Sequence, residues 1–170
     1  MRFLLALLPA LALAPVLAAA PDLLVPDLEQ RLAQGGVEAV NAYLAGQGAP
    51  ALAALNQKTA GCELQAVSLS MRLGRGTQAR AVQAHREALR TAVGLCTAFV
   101  LDLATPEEVP RYCMSVAAWS VTQTARELRR RMAAIEADEA LRTSPKGKAC
   151  HAAYHHELHN TRIVLKSQPR

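Results

Sequence analysis

The chain has 170 residues, a formal net charge of +5, and a composition that is 51% hydrophobic but only 4% aromatic. Alanine, the best helix former, fills 34 positions, whereas the β-branched and aromatic residues that favour strands are too sparse for a sheet protein. The apolar content excludes global disorder, and the length suits one domain with a real core.

Residues 1–20, MRFLLALLPALALAPVLAAA, combine Arg2, a Leu/Ala-rich stretch and a small-residue end. They read as a cleaved signal peptide, with Pro9 and Pro15 arguing against a permanent membrane helix. No later stretch has ~18 uninterrupted apolar residues. The expectation is a periplasmic or secreted protein with no transmembrane helix in its mature chain. Nucleic acid is not an expected partner in that compartment. The arginine excess, 15 Arg to 4 Lys, therefore reads as a basic solvated surface or as one suited to an acidic partner.

Residues 21–48 carry two short amphipathic helices, stopped by Gly35-Gly36 and by Gly46-Gln47-Gly48. Residues 49–166 carry four longer patterns. From Pro50 to Leu73, the residues Leu52, Leu55, Thr59, Cys62, Ala66, Leu69 and Leu73 repeat with helical spacing and form one buried stripe. From Thr77 to Ala104 the stripe is Val82, His85, Leu89, Ala92, Cys96, Phe99 and Leu103. Thr105-Pro106-Glu107-Glu108 is a stop followed by a start, with an N-cap, a proline and first-turn acids. The third helix then runs to about Leu141 with Val109, Cys113, Val116, Ser120, Thr124, Leu128 and Ile135 inward. Ser144-Pro145 opens the fourth, with Cys150, Tyr154, Leu158, Thr161 and Leu165 inward. Short turns between such helices predict an all-α, antiparallel up-down four-helix bundle, braced by the two short N-terminal helices. Residues 167–170 are expected to be a frayed tail.

All four cysteines, Cys62, Cys96, Cys113 and Cys150, fall on the inward stripes. An even count in an exported chain points to two disulfides. No Cys-x-x-Cys spacing supports a zinc site. Cys96 and Cys113 lie at equal distances before and after the Thr105 turn, which in an antiparallel hairpin sets them at one height. The expected bridges are Cys96–Cys113 and, by elimination, Cys62–Cys150, although straight helices leave the second pair offset by about two turns.

Histidines cluster in CHAAYHHELHN. His151, His155 and His159 recur every four residues and form a column on one helix face, with His156 as an auxiliary. Such a column can supply an incomplete shell for Zn²⁺, Cu²⁺ or Ni²⁺, or it is a polar helix flank beside the buried Tyr154 and Leu158. Glu157 is on another face and is a poor fourth ligand. His85, alone on a buried stripe, reads as a hydrogen-bonded core residue. The pair Cys150-His151 ends like a haem attachment site, but Gly147 stands where its first Cys would be.

No Gly-x-Ser-x-Gly elbow, phosphate loop or dinucleotide fingerprint occurs. Glu107 and Glu108 read as helix-start acids rather than a catalytic pair. Arg126, Arg129 and Arg130 form a basic band with Arg131, either a solvated face or a docking site. Trp119, the large aromatic that no stripe turns inward, is either an interface anchor beside that band or packed against the N-terminal helices. The resulting expectation is a non-catalytic binding protein that engages another exported or envelope protein and needs no cofactor. An inhibitor, an immunity protein and an envelope accessory factor all fit. A histidine-based metal-binding or metal-sensing bundle is the alternative.

Overall fold

The computed structural model describes residues 24–167, with side chains as far as residue 161. The signal-like segment 1–20, residues 21–23 and tail residues 168–170 lie outside the described residues, as does the side chain of Leu165. Among the described residues there are nine α-helices and no strand.

Helix α1 (Leu24–Ala45) bends at Gly36, whose φ of 75° lies in the left-handed region. Only glycine enters that region without a steric penalty. Its two halves are the two short helices expected, and α1 ends just before Gly46. The four long helices are not what forms, and three of them are divided. The first becomes α2 (Ala49–Ala60) and α3 (Leu64–Leu73), broken at Gly61 and at Cys62, whose φ is 62°. The second becomes α4 (Ala79–Val93) and α5 (Thr97–Leu103), broken at Gly94-Leu95-Cys96. The third gives way to α6 (Val109–Tyr112), an irregular segment over 113–120, α7 (Val121–Ala137) and the short α8 (Glu139–Thr143). The fourth survives as α9 (Pro145–Ser167).

The buried stripes outlast these breaks. Every described stripe position is buried or half-buried except Ser120. The exception has a local cause, because Ser120 is the N-cap of α7. Its hydroxyl accepts from the Gln123 amide, and the Gln123 side chain accepts from the Ser120 amide. This reciprocal box satisfies two backbone donors that the first helical turn leaves orphaned.

Two apolar clusters result, and α3 serves both. Ala66, Leu69 and Leu73 join Val25, Leu28, Val40, Leu44, Leu52 and Leu55 in one. Val67 and Met71 point into the other, which gathers Leu89 and Val93 of α4, Leu128 and Ile135 of α7, and Tyr154 and Leu158 of α9. A helix flanked on two sides by apolar surface reads apolar on two faces, as α3 does.

Both expected disulfide pairings are overturned. The bridges are Cys62–Cys96, with Cα atoms 6.2 Å apart, and Cys113–Cys150, at 5.2 Å. Equal height across the Thr105 turn required continuous helices on either side of it, and neither is continuous. Cys62 and Cys96 instead occupy the two turns that break the first and second long patterns. They lie just before α3 and just after α4, so the bridge closes the open end of that helix pair. Cys113 ends α6 and is tied to α9.

His85 departs from expectation too. It is fully buried, yet neither ring nitrogen has a hydrogen-bond partner. Burial pushes its pKa down to about 4, so the imidazole sits neutral in the core.

Candidate functional site

The irregular segment 113–120 presents Trp119, and neighbouring elements pin the segment at successive points. Cys113 is bonded to Cys150 of α9. Two turns further along α9, the Glu157 carboxylate accepts from the Ser115 amide at 2.7 Å and from the Ser115 hydroxyl. The Ala117 amide donates to Glu87 of α4 at 3.4 Å, and Glu87 is itself paired with Arg90 at 2.7 Å. The Trp119 amide closes a turn on the Val116 carbonyl at 3.0 Å. A stretch without regular structure is thereby fixed by a covalent bond and by side chains from two helices.

Arg131 of α7 completes the arrangement. Its side chain is 4% exposed and its guanidinium lies 4.7 Å from the centre of the Trp119 ring. One terminal nitrogen, Nη1, donates to the Arg90 carbonyl at 2.7 Å and to the Tyr154 hydroxyl at 3.3 Å. Nε is buried without a partner. Among the described residues no carboxylate forms an ion pair with Arg131. The guanidinium rests on Gly94, where a Cβ would come within 2.6 Å of Nη2. Glycine at that position makes room for the stack on Trp119.

Trp119 is half-buried and separates two concavities. One is a cavity of about 590 Å³ whose walls include Pro110, Met114, Val121 and Ala153, with His156, Glu157 and Asn160 at its polar side. The other, about 270 Å³, is lined by Thr91, Leu95, Gln123, Arg126, Arg130 and Arg131 among others. Leu95 is 66% exposed and Met114 is 38% exposed, and each borders one of these concavities. Among the described residues, none from α1 lines either concavity. Of the arginine band, Arg126 and Arg130 share the Trp119 surface, while Arg129 turns to another flank.

That flank holds part of the histidine column. His155 and His159 border a cavity of about 230 Å³ together with Arg129 and Glu136. His151 is drawn away toward α7, where its Nε2 lies 2.7 Å from the Glu136 carboxylate. His156 faces the large cavity beside Trp119 instead. Among the described residues no group of three or more His, Cys, Asp or Glu side chains is close enough to hold one metal ion. Glu157, set aside as a ligand from its helix face, is engaged with Ser115. Glu108 is held by Arg75 through two contacts at 2.8 and 2.9 Å, and that guanidinium keeps its carboxyl below the usual range.

The sequence pointed to Trp119 and to the band of Arg126, Arg129, Arg130 and Arg131 without marking Arg131 as its buried member, and it missed Leu95 and Met114. Arg131 was hidden in a run of three arginines, with nothing in the run to mark the buried one. Leu95 and Met114 could be found only by recognising the breaks at 94–96 and 113–120. No family model, curated protein or solved structure matches this chain.

Proposed function

We propose that this protein is an exported, non-catalytic binding protein whose contact surface is centred on Trp119. The observation that carries the reading is a rigidly seated tryptophan, flanked by exposed Leu95 and Met114 and bordered by Arg126 and Arg130. Trp, Met and Arg are the residues that interface centres enrich. Large apolar side chains left exposed together mark interaction sites more often than scattered ones do. The pinning of 113–120 supports the reading energetically, since a surface ordered beforehand loses less entropy on association. Export is supported by the signal-like segment 1–20 and by two disulfides, which persist in oxidising compartments. Among the described residues no helix is long and apolar enough to cross a membrane. An inhibitor, an immunity protein and an envelope accessory factor all use such a surface.

The test is site-specific photocrosslinking with the full chain in the cells that make it. A photoreactive side chain at position 95 or 114 is expected to capture the same protein. The same group at Leu64, which is 53% exposed and borders neither concavity beside Trp119, is expected to capture nothing specific. Equal capture from all three positions, or capture from position 64 alone, overturns the assignment of the surface.

A further inference from the structure

We propose that the Trp119 surface recognises a carboxylate, supplied by an acidic side chain on a segment of the partner protein that also carries an apolar side chain. The proposal rests on the binding reading above and deepens it. Buried arginines are ordinarily paired with an acid. Arg131 is 4% exposed and has none among the described residues, and its Nε is orphaned. Its field reaches Glu127, but that carboxylate is hydrogen bonded to Arg130 at 2.8 Å. The guanidinium is held between the Gly94 backbone and the Trp119 ring, a geometry that arginine tolerates because its planar cation stacks well. It also lines the smaller concavity together with Arg126, Arg130 and Glu127; the last two pair with each other, so Arg126 and Arg131 leave the lining net positive.

An unpaired, desolvated cation at the wall of a cavity attracts an anion more strongly than an exposed one does, because water screens it less. A carboxylate matches the planar fork of an arginine. The larger concavity, on the other side of the same indole, has a mainly apolar wall. A ligand that straddles Trp119 would therefore present an acid to one side and an apolar group to the other. On an extended segment, side chains two positions apart share a face and lie about 7 Å apart. That spacing suits two concavities separated by one aromatic ring. An anionic bilayer is the less fitting source of charge. Bilayers are met by protruding apolar side chains, whereas Trp119 is half-buried between hollows.

Trp119 is the single tryptophan in the chain, so its fluorescence reports this surface alone. The probe is the capped peptide Gly-Leu-Gly-Glu-Gly, beside versions with Gln for Glu and Ala for Leu. The full oxidised chain is expected to show a saturable change with the parent peptide, and affinity about tenfold lower for the Gln version. Gly94→Ala, which displaces the guanidinium without removing its charge, is expected to abolish the preference for Glu over Gln. Arg126→Gln, at an exposed position, is expected to reduce that preference and keeps the test valid if Gly94→Ala does not fold.

Three outcomes overturn the proposal. One is a peptide response that does not depend on the carboxylate, seen either as no saturable change up to about 10 mM peptide or as equal binding of the Glu and Gln versions. The second is an equal response to inorganic phosphate. The third is a response to phosphatidylglycerol vesicles with none to peptide. If photocrosslinking at position 95 still captures a partner while carboxylates make no difference, the binding reading stands and this inference alone fails.

Discussion

His85 carries a consequence for acid stability that follows from its burial. Its folded pKa is about 4 against an ordinary 6.5. Below pH 6.5 the unfolded chain takes up a proton that the folded chain refuses. Stability therefore falls as pH drops from 6.5 toward 4, by about 3 kcal/mol across that window. His85→Leu should flatten this part of the profile, measured as thermal midpoints at several pH values. An unchanged acid slope in the variant would show that other groups are responsible. Gly147 supplies a second test at this scale. A Cβ there would lie 1.9 Å from the Leu141 carbonyl oxygen, part of the α8 backbone. Gly147→Ala is expected to cost about 2–3 kcal/mol, as severe overpacking does. Gly61→Ala, whose Cβ would come no closer than 3.4 Å to a carbonyl oxygen, is expected to cost far less.

At the scale of elements, the break points were written in the sequence but were outvoted by the stripes. Gly61 and Gly94 are ordinary helix stops, and Ser120-x-x-Gln123 is a capping signature. Each lay inside a run of apolar residues whose spacing stayed helical, so continuity looked stronger than it was. The spacing survived because the breaks are short, leaving the residues on either side facing the same core. The histidine column was legible in the same way, but its use depends on the neighbours of α9. His151 is engaged by Glu136, and both Arg129 and Glu136 border the cavity of His155 and His159, so a cation there meets one charge of each sign. Calorimetric titration with Zn²⁺, Cu²⁺ and Ni²⁺ is expected to find equally weak binding in the wild type and in a His155→Ala, His159→Ala double variant. Micromolar binding that disappears in the double variant would favour the metal reading.

Across the whole molecule, the two bridges divide the labour. Each closes a long loop, with sequence separations of 34 and 37 residues, and on the chain-entropy model each contributes about 4 kcal/mol. The denatured oxidised protein is expected to show no titratable thiol, and reduction to lower the thermal midpoint substantially. The two should differ in their effect on Trp119. Replacing Cys113 and Cys150 with serine releases the segment that seats the indole, so acrylamide quenching of its fluorescence should rise. Replacing Cys62 and Cys96, which brace the α3–α4 pair, should destabilise the protein with less effect on quenching. Equal quenching in the two variants would mean that the bridge to α9 does not hold the Trp119 surface in place.

Composition and periodicity determined the helical class, the inward residues and the participation of all four cysteines in bridges, because these depend on local propensity and on which side chains shun water. Trp119, Arg126 and Arg130 could likewise be picked out as residue types that interfaces favour. Tertiary structure alone decided which cysteines meet, since pairing depends on where helices stop and how their ends converge. It also decided which arginine of the run at 129–131 is buried. Neighbouring residues on a helix point in directions about 100° apart, and only the packing of α7 against α9, with the reach of Arg131 to the Arg90 carbonyl of α4, determines which direction is inward. The candidate site exists because that packing sets Arg131 between a glycine and a tryptophan that lie far apart in the chain.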